Sequence, residues 1–369
     1  MDDRERSHSR RHSHGKSEGE RRHHHHHHHH RLRHRLKRWL RKHRWVGIAA
    51  ILFAVAALGA FWLLRKDYKN RQSMNVMAAN PKDIGGSYRI VSYDGKDYRY
   101  NNRITSILFA GIDSDENIKQ LSTYTMAPRA DTIILVVMDE LNARVSFIAL
   151  NRDTMTDIHR FTLDGTDRGE FVDHLGNAYT YGDGGEVSCE NLCEAVSKLL
   201  YDVPIDGYVV SNRASIPHLA ELVGPVEVVV PNNDLAEQGF TAGQTAVIDA
   251  DNLELFVRSR DTGLDLSNVT RMERQRAYIE SCISTLMDLL TRDPLTAWDK
   301  IEQAEDDVIT DITRNRYLAL SKALKNVRYT GSSYLTPEGR QVVGPKYDEF
   351  YPDMSLLRST VIDLFYIET

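Results

Sequence analysis

Apolar positions along the chain fall into a few short runs and one long one. The long run, Trp45 to Leu64, holds 20 residues without a charge. At 1.5 Å per residue a helix of that length crosses the ~30 Å hydrocarbon layer of a bilayer. Trp45 and Trp62 stand near its ends, where indole rings prefer the interface. A cleaved signal peptide fits poorly, because the leader is long and the run exceeds a usual signal core.

Further on, Ile104 to Ala110 reads as a buried strand ending in Gly111-Ile112-Asp113. Thr132 to Met138 and Arg144 to Leu150, rich in β-branched residues, read as a hairpin in a sheet covered on both faces. Glu186 to Leu200 reads as helical, Pro204 to Val210 as extended, Ile216 to Val223 as helical, and Val226 to Val230 as a strand closed by Pro231. Leu253 to Val257 leads into Arg258-Ser259-Arg260, and the two arginines share a face if that segment is extended. Arg271, Arg274 and Gln275 open a helix with an apolar stripe of Met272, Ile279, Ile283, Leu286 and Leu290; Arg271 and Gln275 stand one turn apart. Strands alternating with helices predict an α/β fold.

Charge divides the chain. Residues 1–44 carry 15 Lys or Arg against 5 Asp or Glu, whereas the whole chain of 369 residues has a net charge of -5. The basic segment Arg31 to Arg44 outweighs Arg65 to Lys69, so the tail is expected in the cytoplasm and the body outside a single-pass cell-membrane anchor. The tail either rests on anionic lipid headgroups, at about 1 kcal/mol per basic residue, or is a solvated topological anchor. His23 to His30 is an unbroken histidine run; it could chelate metal, and a tag gives the same letters, so no chemistry is assigned to it. With almost nothing apolar to bury, the tail is expected to be disordered. The domain reading is a tail over 1–44, a transmembrane helix over 45–64, a juxtamembrane stalk with one or two short strands over 65–100, and a folded domain over 101–369.

Candidate chemistry lies at strand ends, where α/β folds place their sites. Asp113, Asp131, Arg129 and Arg152 flank three apolar runs, and Arg258, Arg260, Arg271 and Gln275 follow later. Any one arginine is best explained by an ordinary salt bridge. The set as a whole, in an acidic body, calls for an anionic partner, and the planar guanidinium fork suits phosphate. Two carboxylates beside phosphate imply a hard divalent cation between them.

These same residues carry a resemblance. The ordered series Ile107 to Asp113, Arg129-Ala130-Asp131-Thr132, Arg152-Asp153-Thr154, Asn177-Ala178-Tyr179, Val223-Gly224-Pro225-Val226, Val257 to Arg260 and Arg271 to Gln275 resembles the LytR-CpsA-Psr family of membrane-anchored cell-wall glycopolymer transferases. The resemblance covers about residues 101–369. It implies an α/β/α domain around a central mixed sheet, with an apolar tunnel for a polyprenyl chain. It also implies transfer of an anionic glycopolymer, such as teichoic acid or capsular polysaccharide, from an undecaprenyl-pyrophosphate carrier to a peptidoglycan hydroxyl through a phosphodiester. Asp113 and Asp131 would hold Mg²⁺ (or Mn²⁺), with Arg129, Arg152, Arg258, Arg260, Arg271 and Gln275 around the pyrophosphate. Asp113, Asp131 and Arg152 would be catalytic, with the general base open between the two aspartates.

The chain departs from the family pattern in three places. His174-Leu175-Gly176 replaces a common Lys-Ile-Asn, the loop from Asp113 to Asp131 is long, and the acid expected before Arg271 is either a displaced Asp265 or replaced by Asn268. A polyprenyl-pyrophosphate hydrolase and a non-catalytic lipid- or glycopolymer-binding scaffold stay open as alternatives. Nucleic acid is not an expected partner: no helix-turn-helix pattern stands out, and an exported domain cannot reach the chromosome. An EF-hand start at Asp113 fails because Ile118 stands where glycine is required. Cys189 and Cys193 align with Val196 and Leu200 at helical spacing and read as core, with a bridge between them left open.

Overall fold

The computed structural model describes residues 90–369 apart from 119, 125, 260–266, 331–332 and 346. The run Trp45 to Leu64 and Arg260 lie outside the described residues, among which no helix is long and apolar enough to cross a membrane.

A six-stranded mixed sheet organises the chain. Its centre is β3 (Ile104–Ile112), β4 (Ala130–Asp139) and β5 (Arg144–Leu150), antiparallel neighbours in that order. β8 (Gly207–Ser211) adds in parallel beyond β3, and β11 (Val308–Thr310) closes that edge. On the other side the two-residue β12 (Tyr334–Leu335) runs parallel to β5. Side chains alternate across a strand, so each strand feeds two cores. Leu108, Ile133, Leu135 and Ile148 point to one face and Ile134, Phe147 and Ala149 to the other.

Helices cover both faces, completing the α/β/α layering. On the first face α1 (Asn177–Thr180), α2 (Glu186–Leu199) and later α8 (Met354–Phe365) supply Tyr179, Leu192, Val196, Leu357, Val361 and Phe365. Asp183 caps α2, accepting from the amides of Gly185 at 2.8 Å and Ser188 at 3.1 Å, which explains the glycine-rich turn before it. Cys189 and Cys193 are free thiols on α2 packed into this core, and burial pushes Cys193 up to about 12.

A smaller core joins α3 (Ser215–Val223), the β9 (Val226–Val229) and β10 (Thr245–Ile248) hairpin, and α4 (Leu253–Arg258). The 26-residue α5 (Ser267–Arg292) spans this core and the second sheet face. α6 (Pro294–Gln303) and α7 (Arg314–Leu324) follow it.

Among the described residues three more hairpins lie outside the main sheet. β1 (Ile90–Tyr93) and β2 (Lys96–Tyr100) form one, at the end of the stretch read as stalk, and β2 also pairs with β15 (Tyr366–Glu368). The second is β6 (Met155–Phe161) with β7 (Asp167–His174), the third β13 (Gly339–Val343) with β14 (Asp348–Pro352).

One element differs from its sequence reading. Leu253 to Val257 is helical, not extended, so Arg258 is the last residue of a helix and the shared face proposed for Arg258 and Arg260 does not follow from a strand. The cause is local: Asn252 bonds the Asp249 amide at 3.0 Å and the Val247 carbonyl at 3.0 Å, turning the chain into the helix. Leu253 and Phe256 then fall together at helical spacing in the core, and Arg258 pairs with Glu254 one turn back at 2.8 Å.

Candidate active site

The site lies where β3 and β5 end and β4 begins, on a single edge of the sheet. A β-bulge shapes it. Gly111 pairs with Thr132 and Ile112 pairs with Ala130, leaving Asp131 as the extra residue on β4. Bulges kink a strand and re-aim the odd side chain. This one presents the Asp131 carboxylate to groups from two other elements. Arg152, in the turn after β5, donates Nη1 to Asp131 Oδ1. Arg271, on the first turns of α5, donates Nη1 to Oδ2 at 3.1 Å and Nη2 to the Asp131 carbonyl at 3.1 Å. Burial alone would raise Asp131, but the two guanidinium charges outweigh it and hold the carboxyl below its usual range.

A polar network beneath this cluster fixes the arginines. Asn268 accepts from Arg271 Nη2 at 2.6 Å and donates to Asn151 Oδ1 and Asp153 Oδ2, both at 2.9 Å. Asp153 in turn takes Arg129 Nη2 at 2.6 Å, and the same nitrogen donates to the Arg152 carbonyl at 3.3 Å. Burial, then the neighbouring Arg152 charge, pulls Arg129 below the usual arginine range. Gly176 makes the close packing feasible: a Cβ there would meet the Ala130 carbonyl at 2.5 Å and Arg129 Nε at 2.9 Å. A side chain as large as asparagine does not fit at that position without moving the strand.

Asp113 and Arg258 form a more open pair beside the cluster, at 2.5 Å, with Asp113 half exposed. The Asp113 amide bonds the Arg129 carbonyl at 3.1 Å, tying the two parts of the edge together. Gln275 faces inward, donating to Thr132 Oγ1 and to the Val257 carbonyl, each at 3.1 Å. Thus Asp131, Arg129, Arg152 and Arg271 converge, with Asp113 and Arg258 next to them and Gln275 bridging α5 to β4 and α4.

Asp153 and Arg274 are structural parts of the site to which sequence reasoning gave no role, and Asn268 is one it offered only as a replacement for an acid. Asn268 takes the place near Arg271 where an acid is expected. Arg274 is fully buried and bonds the carbonyls of Phe256, at 2.9 Å, and Ser259, plus Asn232 and Asp234. It fixes the end of α4, and so the backbone of Arg258. Its spacing from Arg271, one helical turn, is the signal that could have found it.

His174 occupies the place of a basic family residue. Nδ1 lies 2.9 Å from Asp173 Oδ1 and Nε2 lies 3.0 Å from the Asp348 carbonyl. Both neighbours are acceptors, which favours the doubly protonated ring; the Asp173 bond raises its pKa.

A narrow slot leads inward from Asp131 between β4, β5 and α5. Ile134, Ala149, Leu150, Met272 and Tyr334 line it, and its free volume is about 10 Å³. Elsewhere, His159, Glu170 and Glu194 form a group that could bind a cation, but the Lys198 ammonium already sits among them.

The sequence profile of the LytR_cpsA_psr family matches residues 67–352. The chain belongs to this family. Among curated relatives it is 28% identical over 187 residues to the polyisoprenyl-teichoic acid–peptidoglycan teichoic acid transferase TagU of Halalkalibacterium halodurans, covering 48% of this chain and 52% of the relative. It is 28% identical over 228 residues to the TagU of Bacillus cereus, covering 60% and 64%. The chain thus spans about half to two thirds of the length of these relatives. The fold is that of the B. subtilis TagV crystal structure, with a TM-score of 0.52 and 21% identity over 71% of this chain and 96% of that one. A structure of TagT bound to LIIa-WTA matches with a TM-score of 0.52 and 18% identity over 75% and 93%.

Proposed function

We propose that this chain transfers an anionic glycopolymer from a polyprenyl-pyrophosphate carrier to a hydroxyl of peptidoglycan, at the outer face of the membrane that its N-terminal segment crosses. The observation that carries the reading is the convergence of Arg152 and Arg271 on the carboxylate of Asp131, with Arg129 beside them on Asp153. Among the described residues Arg129 Nε and Arg152 Nε are buried without a hydrogen bond, Arg152 Nε standing 3.6 Å from Asp153 Oδ1. Family membership and the names of the relatives agree with this substrate class.

In this reading the acceptor hydroxyl oxygen attacks the phosphorus attached to the polymer. The bond from that phosphorus to the bridging oxygen breaks, polyprenyl phosphate leaves, and the hydroxyl proton passes to a carboxylate, Asp113 or Asp131. Arg152 and Arg271 exchange Asp131 for phosphate oxygens, stabilising charge on the transferring group. Asp113 and Asp131, hard oxygen donors on adjoining strand ends, would hold a divalent cation: Asp113 is half exposed with only its Oδ1 hydrogen-bonded in the described residues, and the Asp131 oxygens would become ligands as Arg152 and Arg271 turn to phosphate. Mg²⁺ bound there would supply countercharge to the diphosphate. The prenyl chain would enter the slot behind Asp131, which must widen by movement of Met272 and Tyr334.

The test is transfer of lipid-linked polymer to peptidoglycan by the wild type and by Asp131→Ala and Arg258→Ala. Loss of attachment in both variants is expected. Normal attachment by both would exclude the enzyme reading, leaving a scaffold, whereas release of free phosphorylated polymer by the wild type would show that water is the acceptor.

A further inference from the structure

The β13–β14 hairpin is tied to the turn that carries Arg152. The Phe350 amide donates to the Asp153 carbonyl at 2.8 Å, Asn151 Nδ2 donates to Gln341 Oε1 at 3.3 Å, and the Asp348 carbonyl bonds His174 Nε2 at 3.0 Å. His174 precedes the Leu175-Gly176 step whose backbone bonds Thr154 and Arg152. A ligand resting on this hairpin is therefore held in register with the arginine cluster, through rigid main chain on both sides.

The hairpin presents aromatic surface to solvent. Tyr347 is 65% exposed, and its ring stands edge-on to His174 at 6.2 Å. Within β14 alternation puts Glu349 and Tyr351 on one face, and Tyr347 stands in the turn just before the strand. Tyr351 lies under the Arg340 guanidinium at 5.7 Å and donates to Glu349 at 2.7 Å. Flat rings interleaved with charged hydrogen-bonding groups match a sugar chain, whose C–H faces stack on aromatic rings and whose hydroxyls take the polar groups. Tyrosine gives such contact area at low entropic cost.

We propose that Tyr347, supported by Tyr351 and Arg340, forms the acceptor subsite, a platform for a peptidoglycan glycan strand beside the arginine cluster. This rests on the transferase reading above for what the bound glycan then does, but the binding itself can be measured apart from it. An exposed tyrosine pair could also meet lipid headgroups; the anchoring to the Arg152 turn favours the acceptor, because the attacking hydroxyl must arrive there.

Titration of the full-length protein in detergent with soluble, uncross-linked peptidoglycan oligosaccharides provides the test. Tyr347→Ala is expected to weaken oligosaccharide binding and raise the acceptor KM about tenfold, the scale of one lost stacking contact. Tyr347→Phe should keep most of it, and affinity for polyprenyl pyrophosphate should not change in either. Oligosaccharide binding by Tyr347→Ala within twofold of wild type overturns the proposal, whatever the transfer activity. So does an unchanged oligosaccharide affinity with a loss confined to anionic vesicles. A wild type that binds oligosaccharide through Tyr347 yet never attaches polymer would support the subsite and remove the transferase reading.

Discussion

Asn268 offers the most direct check on how the arginine cluster is held. It is 1% exposed and uses its whole amide, with one acceptance from Arg271 and two donations, to Asn151 and Asp153. Asn268→Ala removes all three bonds and leaves a buried carboxylate oxygen and a buried guanidinium nitrogen each short of a partner. A neutral buried bond contributes about 1 kcal/mol and one to a charged group about 1.5–3 kcal/mol. Two of the three are to charged groups, so the loss is about 3–5 kcal/mol after partial refilling by water. For a domain of this size each kcal/mol moves Tm by about 2 °C. Thermal unfolding should therefore fall by about 6–10 °C.

The isosteric Asn268→Asp is the sharper test. It swaps an amide that donates to Asp153 for a carboxylate that repels it, so the variant should be weaker than wild type at neutral pH. The buried new carboxyl beside Asp153 has a raised pKa, so its deficit should shrink as pH falls and the protonated form donates again. A Tm for Asn268→Ala within about 1 °C of wild type, or a pH-independent deficit for Asn268→Asp, would refute this account of the network.

Two further predictions follow from other parts of the site. The pKa of His174 is raised, chiefly by its bond to Asp173, so its stabilisation is complete below its unfolded pKa of about 6.5 and is lost as pH rises through the folded value; Asp173 is lowered to about 2, so its share is present above about pH 4 and lost as pH falls toward 2. The stability difference between wild type and His174→Gln should peak between about pH 4 and 6.5, and a difference that is flat from pH 4 to 9 in chemical denaturation would contradict the charged pair. Met272→Trp should block the slot behind Asp131, reducing affinity for long-chain prenyl pyrophosphate about tenfold or more while inorganic pyrophosphate binds as before; equal loss of both ligands would place the prenyl chain elsewhere.

The sheet was readable because its strands obey simple rules. Ile104 to Ala110, Thr132 to Met138 and Arg144 to Leu150 are dense in β-branched and aliphatic residues, and burial on both sheet faces demands such runs. The polar hairpins Met155–His174 and Gly339–Pro352 have no such density, since each leaves much of its surface in water, and nothing in their pattern marks them. Leu253 to Val257 misled because four apolar residues around Glu254 suit a strand as well as a turn and a half of helix; the deciding signal was polar, at Asp249 and Asn252.

Within the site, residue types were legible and their division of labour was not. Arginines at strand ends pointed to an anionic partner, and the structure brings Arg129, Arg152 and Arg271 together. What the sequence hides is that Asp131 owes its position to one surplus residue in a strand pairing, and that Asn268 reaches Asn151 and Asp153 across more than a hundred positions. Buried arginines need a counter-charge or they drive the cluster apart. Asp131 supplies it here to two of them, and a phosphate that binds there must take over the same donors. In the proposed reaction the carboxylate that keeps the cluster assembled is thus also the one the substrate has to displace. Its replacement by alanine should loosen the resting site and, in the absence of divalent cation, strengthen its grip on pyrophosphate.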